Sequence, residues 1–180
     1  QPGNPLTVRM LAECLSRQNR REECAEVFDL YPADAPRDAD FLNAQGNALF
    51  QARRLHEAVD IFFKALALQV DNALVHYRLG LTFRDLSLNR EATECFRTAI
   101  ALDDGAVRLL SLSLLVHESR QSCDWSTLEA DTAALLAALD QVDDTTGQML
   151  SPFALLAVDA TPEQQRRMGA IRARSLSRGV

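Results

Sequence analysis

Apolar residues recur along most of this chain at helical intervals. Leu42, Leu49 and Phe50 are followed by Ala58, Phe62 and Ala65, each group fitting one face of a 3.6-residue helix, with a short polar stretch between them. Two such runs joined by a turn predict a pair of antiparallel amphipathic helices. The pair then repeats. Gly46 matches Gly80, Ala58 matches Ala92, Phe62 matches Phe96 and Ala65 matches Ala99, all 34 residues apart, and Leu49 keeps the same offset from Phe83. A weaker copy precedes them, with Leu15 ahead of Leu49, Cys24 ahead of Ala58 and Phe28 ahead of Phe62. It carries Ala12 where the later copies carry Gly, as terminal copies with one unshared face often do. Pro36 falls where a closing proline is expected. Self-similarity at this period means stacked units that bury a core only together. Gly46 and Gly80 predict close helix contact within a pair, which a side chain larger than methyl would prevent, and Phe62 and Phe96 are expected to fill the space between pairs. Asn72 and Asn89 stand where N-cap oxygens are needed.

Leu79-Gly80, Phe83, Ala92, Phe96 and Ala99 in one copy, and Gly46, Leu49, Ala58, Phe62 and Ala65 in the copy before it, resemble the tetratricopeptide repeat. The resemblance spans residues 5–104 and implies an all-α fold, a right-handed superhelix (α-solenoid) of three helix pairs. The chain departs from the pattern at Gln45 in place of Leu, at Leu42 and His76 in place of Trp, and at Val70 and Asp104 in place of Pro. In the register the resemblance implies, the first helix of each pair lines a concave face with Arg9 and Glu13, then Asn43, Asn47 and Phe50, then Tyr77, Leu81 and Arg84. An Asn amide can donate to and accept from the backbone of an extended peptide whatever its sequence. Phe50 and Tyr77 add apolar contact. The expected partner is therefore a protein or extended peptide held in this groove.

Residues 105–122 form a further helix whose Leu109, Leu110, Leu112, Leu114 and Leu115 cover nearly all its faces; it is expected to be buried and to close the stack. Ser126 and Glu129 are spaced as a capping box ahead of a Leu/Ala helix, and Thr161-Pro162-Glu163-Gln164 is a second helix start, with Pro at its first position. Cys123-Asp124-Trp125, then Ser151-Pro152-Phe153-Ala154-Leu155-Leu156, then Gln164-Gln165-Arg166-Arg167 follow one another in an order similar to the junction ahead of the catalytic region in bacterial relatives of the O-linked N-acetylglucosamine transferase and SPINDLY family. That resemblance covers residues 123–180. It implies a UDP-sugar-dependent protein O-glycosyltransferase downstream, for which the repeats would recruit substrates or partners. The Asn ladder of the family's eukaryotic members is not matched, because Met10, Ala44 and Arg78 hold those positions. A clamp for chaperone tails is also poorly matched: Arg9 and Arg78 are present, but Glu13 and Leu74 replace Asn and Lys. A free-standing adaptor with no enzyme attached is the alternative reading.

Charge and composition narrow the picture further. With 19 basic against 25 acidic residues and a net charge of −6, the chain lacks the electrostatic footprint of a nucleic-acid binder. The basic residues are all Arg except Lys64 and are scattered, although Arg166, Arg167, Arg172, Arg174 and Arg178 cluster near the end, as expected for a helix that adjoins a further neighbour. No alternating strand and helix with a Gly-rich turn offers a diphosphate seat. No catalytic residue, cofactor or metal is expected, and the chain by itself is not expected to be an enzyme. Four Cys and three His show no metal-ligand spacing, so the cysteines read as reduced small hydrophobes in a cytoplasmic protein, with His117 and Cys123 not a catalytic pair. QPGNPLTVRM is neither a signal peptide nor an initiator segment, and no membrane association is expected; the chain reads as part of a longer protein, whose cut ends could support a homodimer. Trp125 is expected to be buried as a packing anchor.

Overall fold

The computed structural model describes residues 4–32, 35–103, 105–141 and 158–177, and among these the chain is helix and turn without strand. Asp104, the run around Pro152 and Arg178 lie outside the described residues. The helices are α1 (Pro5–Arg17), α2 (Arg21–Asp29), α3 (Ala39–Gln51), α4 (Leu55–Leu68), α5 (Ala73–Asp85), α6 (Asn89–Leu102), α7 (Ala106–Gln121), α8 (Leu128–Gln141) and α9 (Pro162–Ser177). They form two compact units, Gln1–Cys95 and Phe96–Val180.

In the first unit α1 packs on α2 and α3 on α4, while α2 meets α3 and α4 meets α5, so each pair rests on the next. The first helices of successive pairs also touch, α1 with α3 and α3 with α5. The predicted marker residues are the buried ones. Ala58, Phe62 and Ala65 are sealed in a cluster with Leu49 and Leu79, and Cys24, Phe28 and Phe41 fill the preceding one. Gly46 shows why that position is Gly. A Cβ built there would stand 2.6 Å from Phe62 Cε1, far inside van der Waals contact. Even a methyl group is too large, a tighter limit than the sequence suggests. The same contact places the Phe62 ring within its own pair, against Gly46, in addition to bridging toward the next.

The turn inside each of the hairpins α1–α2, α3–α4, α5–α6 and α7–α8 closes by one backbone device. Asn19, Arg53, Ser87 and Cys123 all adopt left-handed φ, between 55° and 63°. The following N–H reaches back past the helix end: Arg20 to the Leu15 carbonyl at 3.0 Å, Arg54 to Leu49 at 2.9 Å, Leu88 to Phe83 at 2.9 Å and Asp124 to Ser119 at 2.8 Å. This satisfies carbonyls that a helix end otherwise leaves unpaired. The first three instances are 34 residues apart and the fourth comes 36 after the third. Arg54 then ties pairs together, donating to Asp29 of α2 at 2.5 Å and to Glu57 at 2.7 Å. Helix α5 starts as expected, with Asn72 Oδ1 accepting from the Val75 N–H at 3.2 Å. Asn89 is instead the first residue of α6, one place beyond the Leu88 carbonyl that accepts from Ala92.

In the second unit α7 packs along α8. Leu109, Leu110, Leu112, Leu115 and Val116 are buried, and so are Ser111, Glu118 and Ser119, which leaves α7 covered on nearly every side. The expected Ser126–Glu129 box does not form. Ser126 Oγ instead donates to Asp124 Oδ1 at 2.6 Å, and α8 starts behind Thr127, whose hydroxyl meets Asp131 Oδ2 at 2.8 Å while Arg97 donates to that hydroxyl at 2.6 Å. The chain is drawn into this local turn, and Trp125 within it is 61% exposed, contrary to the anchoring role its residue type suggests. At α9 the box predicted for Thr161 and Gln164 is complete, with bonds of 3.0 and 3.2 Å in the two directions. Arg167 donates to the Leu139 and Asp140 carbonyls at the end of α8, so this member of the basic cluster caps a helix.

Candidate functional site

Helices α1, α3 and α5, all within the first unit, line an open groove of about 480 Å³. Its lining follows the period of the chain. Leu6 and Met10 on α1, Asp40 and Ala44 on α3, and Leu74 and Arg78 on α5 make one stripe, four residues apart on each helix and 34 apart between helices. Arg9 and Glu13 on α1 and Asn43 and Asn47 on α3 make a second. Because residues four apart share a helix face, stacking equivalent helices carries the first stripe across α1, α3 and α5 and the second across α1 and α3.

Cross-helix bonds hold the groove open. Arg9 lies 3.8 Å from Asp40, and Ser16 Oγ donates to Gln51 Oε1 at 2.9 Å, both between α1 and α3. Between α3 and α5, Arg78 Nη1 donates to Asn43 Oδ1 at 2.7 Å and to the Asn43 carbonyl at 3.4 Å. Asn43 is 8% exposed and thereby fixed in place. Burial pushes the Arg78 pKa down, with the Tyr77 hydroxyl opposing the shift, yet an arginine so displaced keeps its charge at neutral pH. Among the described residues no carboxylate pairs with Arg78. Glu13, by contrast, is paired with Arg17 one turn along its own helix at 2.8 Å. Asn47 is half-buried, lines the groove and makes no side-chain hydrogen bond among the described residues.

Of the side chains expected on the binding face, Arg9, Glu13, Asn43 and Asn47 come together here. Phe50, Tyr77, Leu81 and Arg84 are half-buried but do not line the groove. Phe50 packs against the core cluster, Arg84 meets Asp85 at 3.2 Å, and burial raises the Tyr77 pKa. Sequence reasoning passed over Leu6 and Asp40, whereas Leu74 and Arg78 had been weighed only against the clamp and Asn-ladder patterns. Their signal was available as a common offset of 34 from position 6 to 40 to 74, but they share no chemistry, and matching by residue type overlooks them.

The remaining candidate chemistry is quiet. All four cysteines are free; Cys24 is buried with its thiol on the Ala12 carbonyl, Cys14 and Cys123 are exposed, and burial with Glu94 and Glu91 nearby pushes Cys95 up to about 11. Among the described residues no cluster of His, Cys, Asp and Glu could hold a metal ion, and no helix is long and apolar enough to cross a membrane.

No protein-family model and no curated protein matches the chain. Solved structures do. A crystal structure of MamA aligns at 18% identity over 78% of this chain and 80% of its own, with a TM-score of 0.66. MamA from Desulfovibrio magneticus RS-1 aligns at 18% identity over 96% and 93%, with a TM-score of 0.61. The TPR-like repeats of a Podosopora anserina kinesin light chain align at 13% identity over 97% and 98%, with a TM-score of 0.64. At such identities it is the fold that is shared, and the chain has the all-α fold of tetratricopeptide-like repeat solenoids.

Proposed function

We propose that this chain is a protein-interaction module that takes an extended segment of a partner protein into the groove between α1, α3 and α5. The observation that carries this reading is the pairing of an open Asn47 amide with an Arg78–Asn43 bond that braces the groove floor. A peptide backbone offers one donor and one acceptor per residue, which Asn47 can meet at once. The apolar rim of Leu6, Met10 and Leu74 offers side chains a place to be removed from water. Four unpaired cysteines support work in a reducing compartment such as the cytoplasm.

The enzymatic context we propose rests on the resemblance of residues 123–180 alone: a protein O-glycosyltransferase carrying these repeats as its recruiting part. The gene sequence beyond Val180 tests it, since a stop codon there would leave a free-standing adaptor.

A random seven-residue peptide library, displayed on phage and selected on the full chain, tests the groove. Wild type should enrich a defined peptide set, and Asn47→Trp, which fills the groove, should lose that enrichment at least ten-fold with its melting temperature unchanged. Equal enrichment by the Trp variant would place binding elsewhere.

A further inference from the structure

Arg78 presents an unusual balance for a groove residue. Its guanidinium is taken partly out of water, its Nη1 is committed to the Asn43 side chain and carbonyl, and no carboxylate among the described residues neutralises it. A desolvated cation without a counter-ion is unfavourable unless something else supplies the negative charge. The groove's two acids do not. Asp40 is held by Arg9, and Glu13 faces Arg17. Asn43 meanwhile fixes the plane of the guanidinium, leaving its remaining fork suited to a carboxylate approaching edge-on. Leu74 on its own helix and Ala44 on α3 line the groove beside the cation and give that part of it an apolar wall.

We infer that the groove selects an extended peptide carrying an Asp or Glu side chain, whose carboxylate supplies the counter-ion that Arg78 lacks among the described residues. This deepens the proposed function and rests on it. The attraction is local in character. With a net charge of −6 the chain does not draw acidic peptides from a distance, so the preference should appear in dissociation rate more than in association rate.

The same phage selection tests it on the full chain, comparing wild type with Arg78→Gln and Arg78→Lys and checking each fold by circular dichroism and melting temperature. The library displays the seven random residues as an internal segment, so no terminal carboxylate is offered. Wild type should enrich Asp or Glu at one fixed position by about ten-fold over the input, the factor expected for a charge-assisted hydrogen bond. Arg78→Gln should lose that acidic position, and Arg78→Lys, which keeps a cation there, should keep part of it. Wild-type peptides with no acidic position, or an acidic preference that survives in Arg78→Gln, would overturn the inference and leave the groove itself standing. Enrichment seen only when the segment is redisplayed with a free C-terminus would also overturn it, by moving the anion to a chain end. If wild type enriches nothing, the groove reading and this one fall together.

Discussion

The α3–α4 and α7–α8 hairpins close in the same way and fill in different ways. Arg53 and Cys123 both turn the chain with a left-handed residue, and the next N–H in each case returns to a carbonyl five residues back. Inside the α3–α4 hairpin, Gly46 gives way to the Phe62 ring, and the two helices nest at that contact with Leu49 and Ala58 sealed in the same cluster. Helix α7 has no such glycine and lies buried by bulk, through Leu109, Leu112 and Leu115. Its partner α8 begins six residues after Ser122, whereas α4 begins three after Ala52, and Thr127, Asp131 and Arg97 hold the longer entry. Closing a hairpin and nesting its helices are thus separable: the first is a property of the backbone cap, the second of side-chain volume.

The largest break in this comparison should come from Gly46→Leu. The Phe62 ring is wholly buried and cannot swing aside, so the new side chain forces the pair apart, and denaturant unfolding of the first unit should show a loss of about 3 kcal/mol or more. Native stability would mean that α3 and α4 do not depend on that contact. A much smaller effect should appear equally in both hairpins. A non-glycine residue in the left-handed region is strained by roughly 1–2 kcal/mol, which glycine relieves while adding entropy to the unfolded chain. Arg53→Gly and Cys123→Gly should each therefore raise stability by up to about 1 kcal/mol in the same denaturant titration. A gain at Arg53 with a loss at Cys123 would show that the two caps are not equivalent.

The same division explains what the sequence disclosed. The helix pairs were legible because Ala58, Phe62 and Ala65 recur as residue types at a fixed interval. The α7–α8 cap was not, because Asn19, Arg53, Ser87 and Cys123 share a backbone conformation and no chemistry, and the last breaks the interval by two. Half of the groove was legible for the same reason, through Arg9, Asn43 and Asn47. Position 78 holds Arg where the earlier copies hold Met10 and Ala44, so its register was legible, while its bond to Asn43 emerges only from the geometry. Gln45 is instructive in another way. It departs from the repeat pattern at a Leu site, and its Oε1 is buried without a hydrogen-bond partner among the described residues, which carries a local energetic cost.

Amide NMR spectra of the full chain, titrated with one enriched seven-residue peptide, test the groove most directly. Signals of Arg9, Asn43, Asn47 and Arg78 should move together in a saturable way while those of α7 and α8 stay still. Movement confined to α7 and α8, with α1, α3 and α5 unaffected, would contradict the account.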